Sequence, residues 1–164
     1  MPGPDDTVTE VLDQWRERRP DLDLDGMAVF SRIYRLARVA ELRRNALLEP
    51  YGLTVGDVDV LAPLWRAGGG LRPLELRRSQ LIGSGTLTAR LDRLERAGLL
   101  ERRPDPADRR GRTLFLTEEG ERLLPLLVEQ LLELENELLA VLPSTARTRL
   151  SKDLARVLAA AEPA

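Results

Sequence analysis

At 164 residues and 43% hydrophobic, the chain is long enough for one compact unit with helical extensions and a real core. Aromatic residues are few, so leucine, valine and alanine must fill that core. The absence of cysteine and histidine excludes disulfides, thiol redox chemistry, ordinary zinc sites and every mechanism that needs imidazole or thiolate. The formal net charge of −2 conceals an uneven distribution: eleven arginines stand against six acids from Arg72 to Arg112, but seven glutamates against Arg122 alone from Thr117 to Val141. It is this placement, not the sum, that sets where a polyanion can dock.

In chain order, DDTVTEVLDQWRERRP puts Val8, Val11, Leu12 and Trp15 on one face of a short helix that Pro20 ends. A second helix is predicted from an Asp25 N-cap to about Glu49. Pro50 and Gly52 stop it. Thr54 and Asp57 form a capping box that opens a third helix, Val55 to Ala67, with Pro63 in its interior. After the break at residues 68–70, Pro73 suits the first position of a fourth helix, with Leu74 and Leu81 facing inward. A turn through Ile82 and Gly83 leads to a fifth helix, capped by Ser84 and ended by Gly98, with Leu87, Leu91 and Leu94 as its buried stripe.

The runs LLERR and RTLFLT are strand-like, and residues 104–111 can close them into a hairpin with an arginine-rich tip. Thr117 caps a long helix whose Leu124, Leu127, Leu131, Leu134, Leu138 and Val141 recur at three- and four-residue spacing, a heptad stripe suited to packing along another long helix. Ser144 caps a last helix with Leu150, Leu154, Val157, Leu158 and Ala161 inward. The expected fold class is mainly α: a winged helix-turn-helix core (53–117) between N-terminal helices (1–52) and C-terminal dimerisation helices (118–164).

A capped helix followed by a basic hairpin reads double-stranded DNA. Ser84, Thr86, Thr88 and Ala89 are small and lie in the turn that reaches base edges, while Arg93 and Arg96 suit phosphates. At the wing, Asp108 and Arg110 can pair, leaving Arg109 and Arg112 for phosphate or the minor groove; Arg110 is itself grouped with the DNA-binding residues. A homodimer matches a pseudo-palindromic duplex. The alternative is a winged helix that binds protein instead of DNA. No catalytic residue, cofactor or metal site is expected. The N-terminus has no signal pattern and no apolar run reaches membrane-spanning length, so a cytoplasmic protein without membrane contact is expected.

The segment GTLTARLDRLERAGLLERRPDPADRRGRTLFLTEEG resembles the signature of the MarR family of bacterial transcription regulators, through its DRR wing and LT-x-x-G exit. That resemblance implies a triangular homodimer acting mostly as a repressor released by a small-molecule effector. A narrower similarity, to the urate-responsive branch, rests on the N-terminal helix with its Trp, on GLT-x-x-x-DVLA and on SGTLT-x-RLDRLE. It implies an effector site of Trp15, Asp59, Arg90 and Arg102 for urate or another aromatic or carboxylate anion. Stacking on the indole and charge-assisted hydrogen bonds from two guanidiniums suit such a ligand. The residues also have plainer uses: Trp15 as core, Asp59 with Arg90 as a structural ion pair, Arg102 as a phosphate contact.

Overall fold

The computed structural model describes residues 6–80, 84–105 and 108–162, with the side chains of 78–80, 84–85 and 108–110 outside that description. The order is α1 (Thr7–Arg18), α2 (Asp25–Leu48), a 3-10 turn (Glu49–Tyr51), α3 (Val55–Ala67), α4 (Pro73–Gln80), α5 (Ser84–Arg96), β1 (Leu100–Asp105), β2 (Asp108–Leu116), α6 (Glu118–Leu138) and α7 (Ser144–Ala161). Helices carry the mass, and one antiparallel hairpin forms the wing. Leu71 adds a bridge to Leu114, with N–H···O bonds of 3.0 and 2.8 Å in both directions, so the wing is tied to the segment that enters α4.

One core joins α3, α4, α5, the wing base and the first half of α6. Leu48, Val60, Leu61, Leu64, Leu76, Leu94, Leu114, Leu124 and Leu127 are all essentially inaccessible to solvent. Because Leu124, Leu127 and Leu131 belong to it, the core is continuous across residue 117. Val8 and Leu12 of α1 form a smaller cluster with Leu24.

Local chemistry explains most boundaries. Asp57 closes a capping box with Thr54 at the start of α3, and Gly68 (φ 61°) ends that helix in the left-handed region. α3 continues through Pro63. Gly98 (φ 72°) ends α5, with its N–H on Glu95 O and that of Leu99 on Leu94 O, a Schellman pattern. Thr117 caps α6 by accepting from the Gly120 N–H at 3.1 Å.

Several expectations change. The N-cap of α2 is Leu24, and the carboxylate beside it is Asp23, which accepts from the Asp25 N–H at 3.0 Å; Asp25 sits in the first turn instead. Pro143, not Ser144, occupies the N-cap of α7, without a side-chain cap. The wing strands run further than expected, to Asp105 and from Asp108, and a bulge separates the pairs Pro104–Arg112 and Asp105–Asp108. α6 ends at Leu138, leaving Val141 beyond it and 87% exposed. Leu74 faces solvent, since α4 uses Leu76 as its core contact. Leu81, Ile82 and Gly83 lie outside the described residues.

On α1, Val8 and Leu12 are buried while Val11 and Trp15 are exposed. The stripe expected to face inward on α7 faces out: none of its residues is buried, and on the 24-residue α2 only Leu48 is. Among the described residues, no helix is long and apolar enough to cross a membrane.

Candidate nucleic-acid interface and effector site

Leu87, Leu91 and Leu94 fasten α5 to the core, which leaves Thr86, Thr88 and Ala89 exposed on the opposite side of its first turns. Ser84 opens the helix, and its side chain lies outside the described residues. Arg77 of α4, not anticipated from the sequence, is exposed and borders the same small cleft as Thr88. Nothing in the sequence around Arg77 ties that cation of the first helix to the face that α5 presents. Arg96 is exposed and donates from Nε to the Asp92 carbonyl at 3.1 Å. Arg93 points back into the protein, to the carboxylate of Asp57.

The wing is braced near its turn and along its strands. Arg72 Nε lies 2.7 Å from Oδ2 of Asp105, whose carboxylate is almost fully buried. The Arg103 guanidinium lies 4.5 Å from the Phe115 ring centre. Gly70 makes room for the wing here, because an added Cβ would displace the side chains of Thr113 and Phe115. Arg109 and Arg110 lie on β2 with side chains outside the described residues, and so does the expected Asp108–Arg110 pair. Arg112 is exposed, its Nη1 3.2 Å from the Gly111 carbonyl.

Of the four expected effector residues, Arg90 and Asp59 lie within electrostatic reach of each other. Arg90 lies against Gly56 at the start of α3, where a Cβ would fall 2.4 Å from the guanidinium carbon. It borders an open cleft of about 730 Å³ together with Glu41, Asn45 and Glu49 from the end of α2. Asp59, one turn along α3, feels Arg90 and Arg44. Asp59 is exposed, yet its partial burial pushes its carboxyl above the ordinary 3.8, against the pull of Arg44 and Arg90. Arg44 was missed because its partners are remote in sequence. Its Nε is buried and 3.4 Å from Glu135 Oε1, an ion contact without hydrogen-bond geometry.

The other two residues are placed elsewhere. Arg102 reaches back to α5, bonding Glu95 and Asp92 at 2.6 Å each. Trp15 is 42% exposed and borders a separate cleft with Gln14, Arg18 and Arg19 of its own helix turns.

The raised pKa of Asp59 has a definite sign. A carboxyl whose folded pKa exceeds its unfolded value costs stability above that pKa, and the cost fades as pH falls through it. Asp59→Asn is therefore expected to raise the melting temperature at neutral pH, with the gain vanishing toward pH 3.8. Thermal melts across pH test this; a loss of stability at pH 7 would mean that attraction to Arg44 and Arg90 outweighs burial.

Comparison with known proteins places the geometry. The MarR family model matches residues 51–111, from the turn before α3 to the wing. The HTH-type transcriptional regulator PecS of Dickeya dadantii is 36% identical over 152 residues, covering 92% of each chain. The chain belongs to the MarR family. The apo crystal structure of MarR from E. coli superposes with a TM-score of 0.66 at 30% identity, covering 77% of this chain and 93% of that one. A mutant E. coli MarR complexed with operator DNA gives 0.70 at 29% identity, covering 88% and 97%. The MepR–DNA complex of S. aureus gives 0.74 at 21% identity, covering 81% and 98%, which bears on the fold alone. As a MarR-family winged helix with α5 and the wing exposed, the chain is a DNA-binding transcription regulator.

Proposed function

We propose that this MarR-family regulator is a cytoplasmic homodimeric repressor of a pseudo-palindromic operator, released by a small anionic aromatic ligand, and that it has no catalytic role. Thr86, Thr88 and Ala89, with Ser84 ahead of them, read base edges in the major groove, and two copies reach half-sites about one helical turn apart. Arg96 holds phosphate, and Arg109, Arg110 and Arg112 bring the wing to phosphate or the minor groove. Residues 1–52 and 118–164 supply the dimer lobe. The apolar side chains left open on α2 and α7, among them Phe30, Leu36, Leu154 and Leu158, support that division.

One observation carries the effector reading: Arg90 stands on the recognition helix and at the same time against Gly56 of α3, within electrostatic reach of Asp59. A ligand that draws Arg90 to itself moves the helix that reads DNA. This gives the ligand different affinities for the two states, as any release mechanism requires. Trp15 offers a stacking surface and Arg102 a second cation if Asp92 and Glu95 give it up.

Calorimetry with urate on the free protein tests the site, avoiding confusion with lost DNA binding. Binding by the wild type, and its loss in Arg90→Ala, is the expected outcome. Unchanged urate affinity in Trp15→Ala, Asp59→Ala and Arg90→Ala would remove the assignment. Operator titrations at increasing salt test the DNA contacts, because each phosphate neutralised adds roughly 0.9 to the slope of log affinity against log salt.

A further inference from the structure

Asp57 is a buried carboxylate that neither the reading of DNA nor the effector site uses. Its exposure is 0%. Oδ2 accepts from the Thr54 N–H at 2.8 Å and from the Thr54 hydroxyl at 2.7 Å, which completes the cap of α3. Oδ1 is left over, and it accepts from Arg93 Nη2 across 36 residues of sequence. Arg93 is three residues after Arg90, so the two project from the same side of α5. One enters the carboxylate of Asp57, and the other lies on the neighbouring Gly56, whose missing side chain makes the space. The first turn of α3 thus receives two successive turns of the recognition helix.

Leucine packing alone sets the depth of a helix but resists rotation about its axis poorly, because the apolar stripe is broad and its contacts are undirected. A guanidinium on a buried carboxylate is directional. We propose that Asp57 and Gly56 form a latch that fixes the rotational setting of α5, making Arg93 a positioning residue and not a phosphate contact. The inference rests on the chain binding DNA through α5. Arg93 remains 44% exposed on its outer side, so exposure alone does not separate the two roles. Charge does. A phosphate contact carries a salt dependence; an internal ion pair that only orients the helix carries none of the DNA's counterions.

The experiment uses the full-length protein and a duplex that the wild type enriches from random DNA, with affinity measured at several salt concentrations for Asp57→Asn, Arg93→Gln and the double variant. Each is expected to bind on the order of tenfold more weakly, because base contacts at the tip of α5 lose their alignment, with the salt slope unchanged. The double variant should lose no more than either single one. It also guards against misfolding, since asparagine can still cap α3 and no charge is left buried alone. A slope reduced by about 0.9 in Arg93→Gln would make Arg93 a phosphate contact and overturn the latch. So would additive losses, or unchanged affinity accompanied only by a lower melting temperature. If the wild type enriches no duplex, the DNA-binding reading fails first and the latch falls with it; if it does, the variants judge the latch alone.

Discussion

Gly120→Ala is expected to destabilise the protein by about 1–3 kcal/mol, the usual cost of forcing a methyl into a filled site. Gly120 lies in the first turn of α6, directly above the backbone that joins α5 to the wing. A Cβ there would sit 2.2 Å from the Leu99 carbonyl oxygen, which already accepts from the Thr117 N–H at 3.2 Å. Thr117 binds the same junction through its hydroxyl, which donates to the Gly98 carbonyl at 2.6 Å while accepting from the Gly120 N–H. The obstacle is backbone held from two sides, so it cannot turn away as a side chain would. Either α6 lifts from Leu99 or the cap breaks, and both changes shift the base of the wing.

Gly26→Ala is the matched comparison. Nothing lies within 4 Å of its added Cβ, it lies in the first turn of a helix, and its backbone is not left-handed. Alanine there is expected to be neutral or slightly stabilising. Thermal melts at one protein concentration compare the two. Equal losses would show that the contact at Leu99 relaxes freely. The LT-x-x-G exit of the wing thus has a physical basis: the threonine caps, and the glycine lets the capped turn approach the strand.

What was legible in the sequence was governed by neighbours along the chain. The Thr54–Asp57 box, Pro73 at the start of α4, Gly98 past the end of α5 and Thr117 before α6 each act within a few residues, and the structure has all four at those places. What escaped depends on residues far apart. Asp57 reads as a cap, and nothing nearby in sequence announces Arg93. Arg102 was expected to be available to a ligand, but the wing strand folds back over α5 and brings it to Asp92 and Glu95. Trp15 shares the helical face of Val8 and Leu12, but the chain covers that face only as far as Leu12 and leaves the indole exposed. Pattern identifies an apolar stripe without saying which surface will cover it. α7 has that property in the extreme, because its stripe matches no surface of its own chain.

Leu154→Glu on that stripe is expected to abolish the dimer and, with it, tight operator binding. α7 has 18 residues and none of them is buried, although Leu150, Leu154, Val157 and Leu158 lie at helical spacing with 40–57% exposure. α2 repeats the situation with Val29, Phe30, Leu36, Val39 and Leu42 open. Two helices with apolar faces in water would be a liability in a monomer, and a second copy supplies a matching surface through two-fold symmetry. Because the symmetry presents each residue twice, one substitution removes two leucines whose remaining 41% exposure is covered in the dimer, at about 0.6–1.2 kcal/mol each, and adds two buried charges. The hydrophobic part alone comes to roughly 1–2.5 kcal/mol, on the order of tenfold to fiftyfold in the dimer constant, and the two buried carboxylates add the larger penalty. A lone winged helix then holds one half-site, and affinity falls toward the non-specific level. Sedimentation and operator titration on the same sample separate the possibilities. A monomer with lost operator affinity is the expected result; a variant that stays dimeric would place the interface elsewhere, and a monomer that binds as tightly as wild type would show that one half-site suffices.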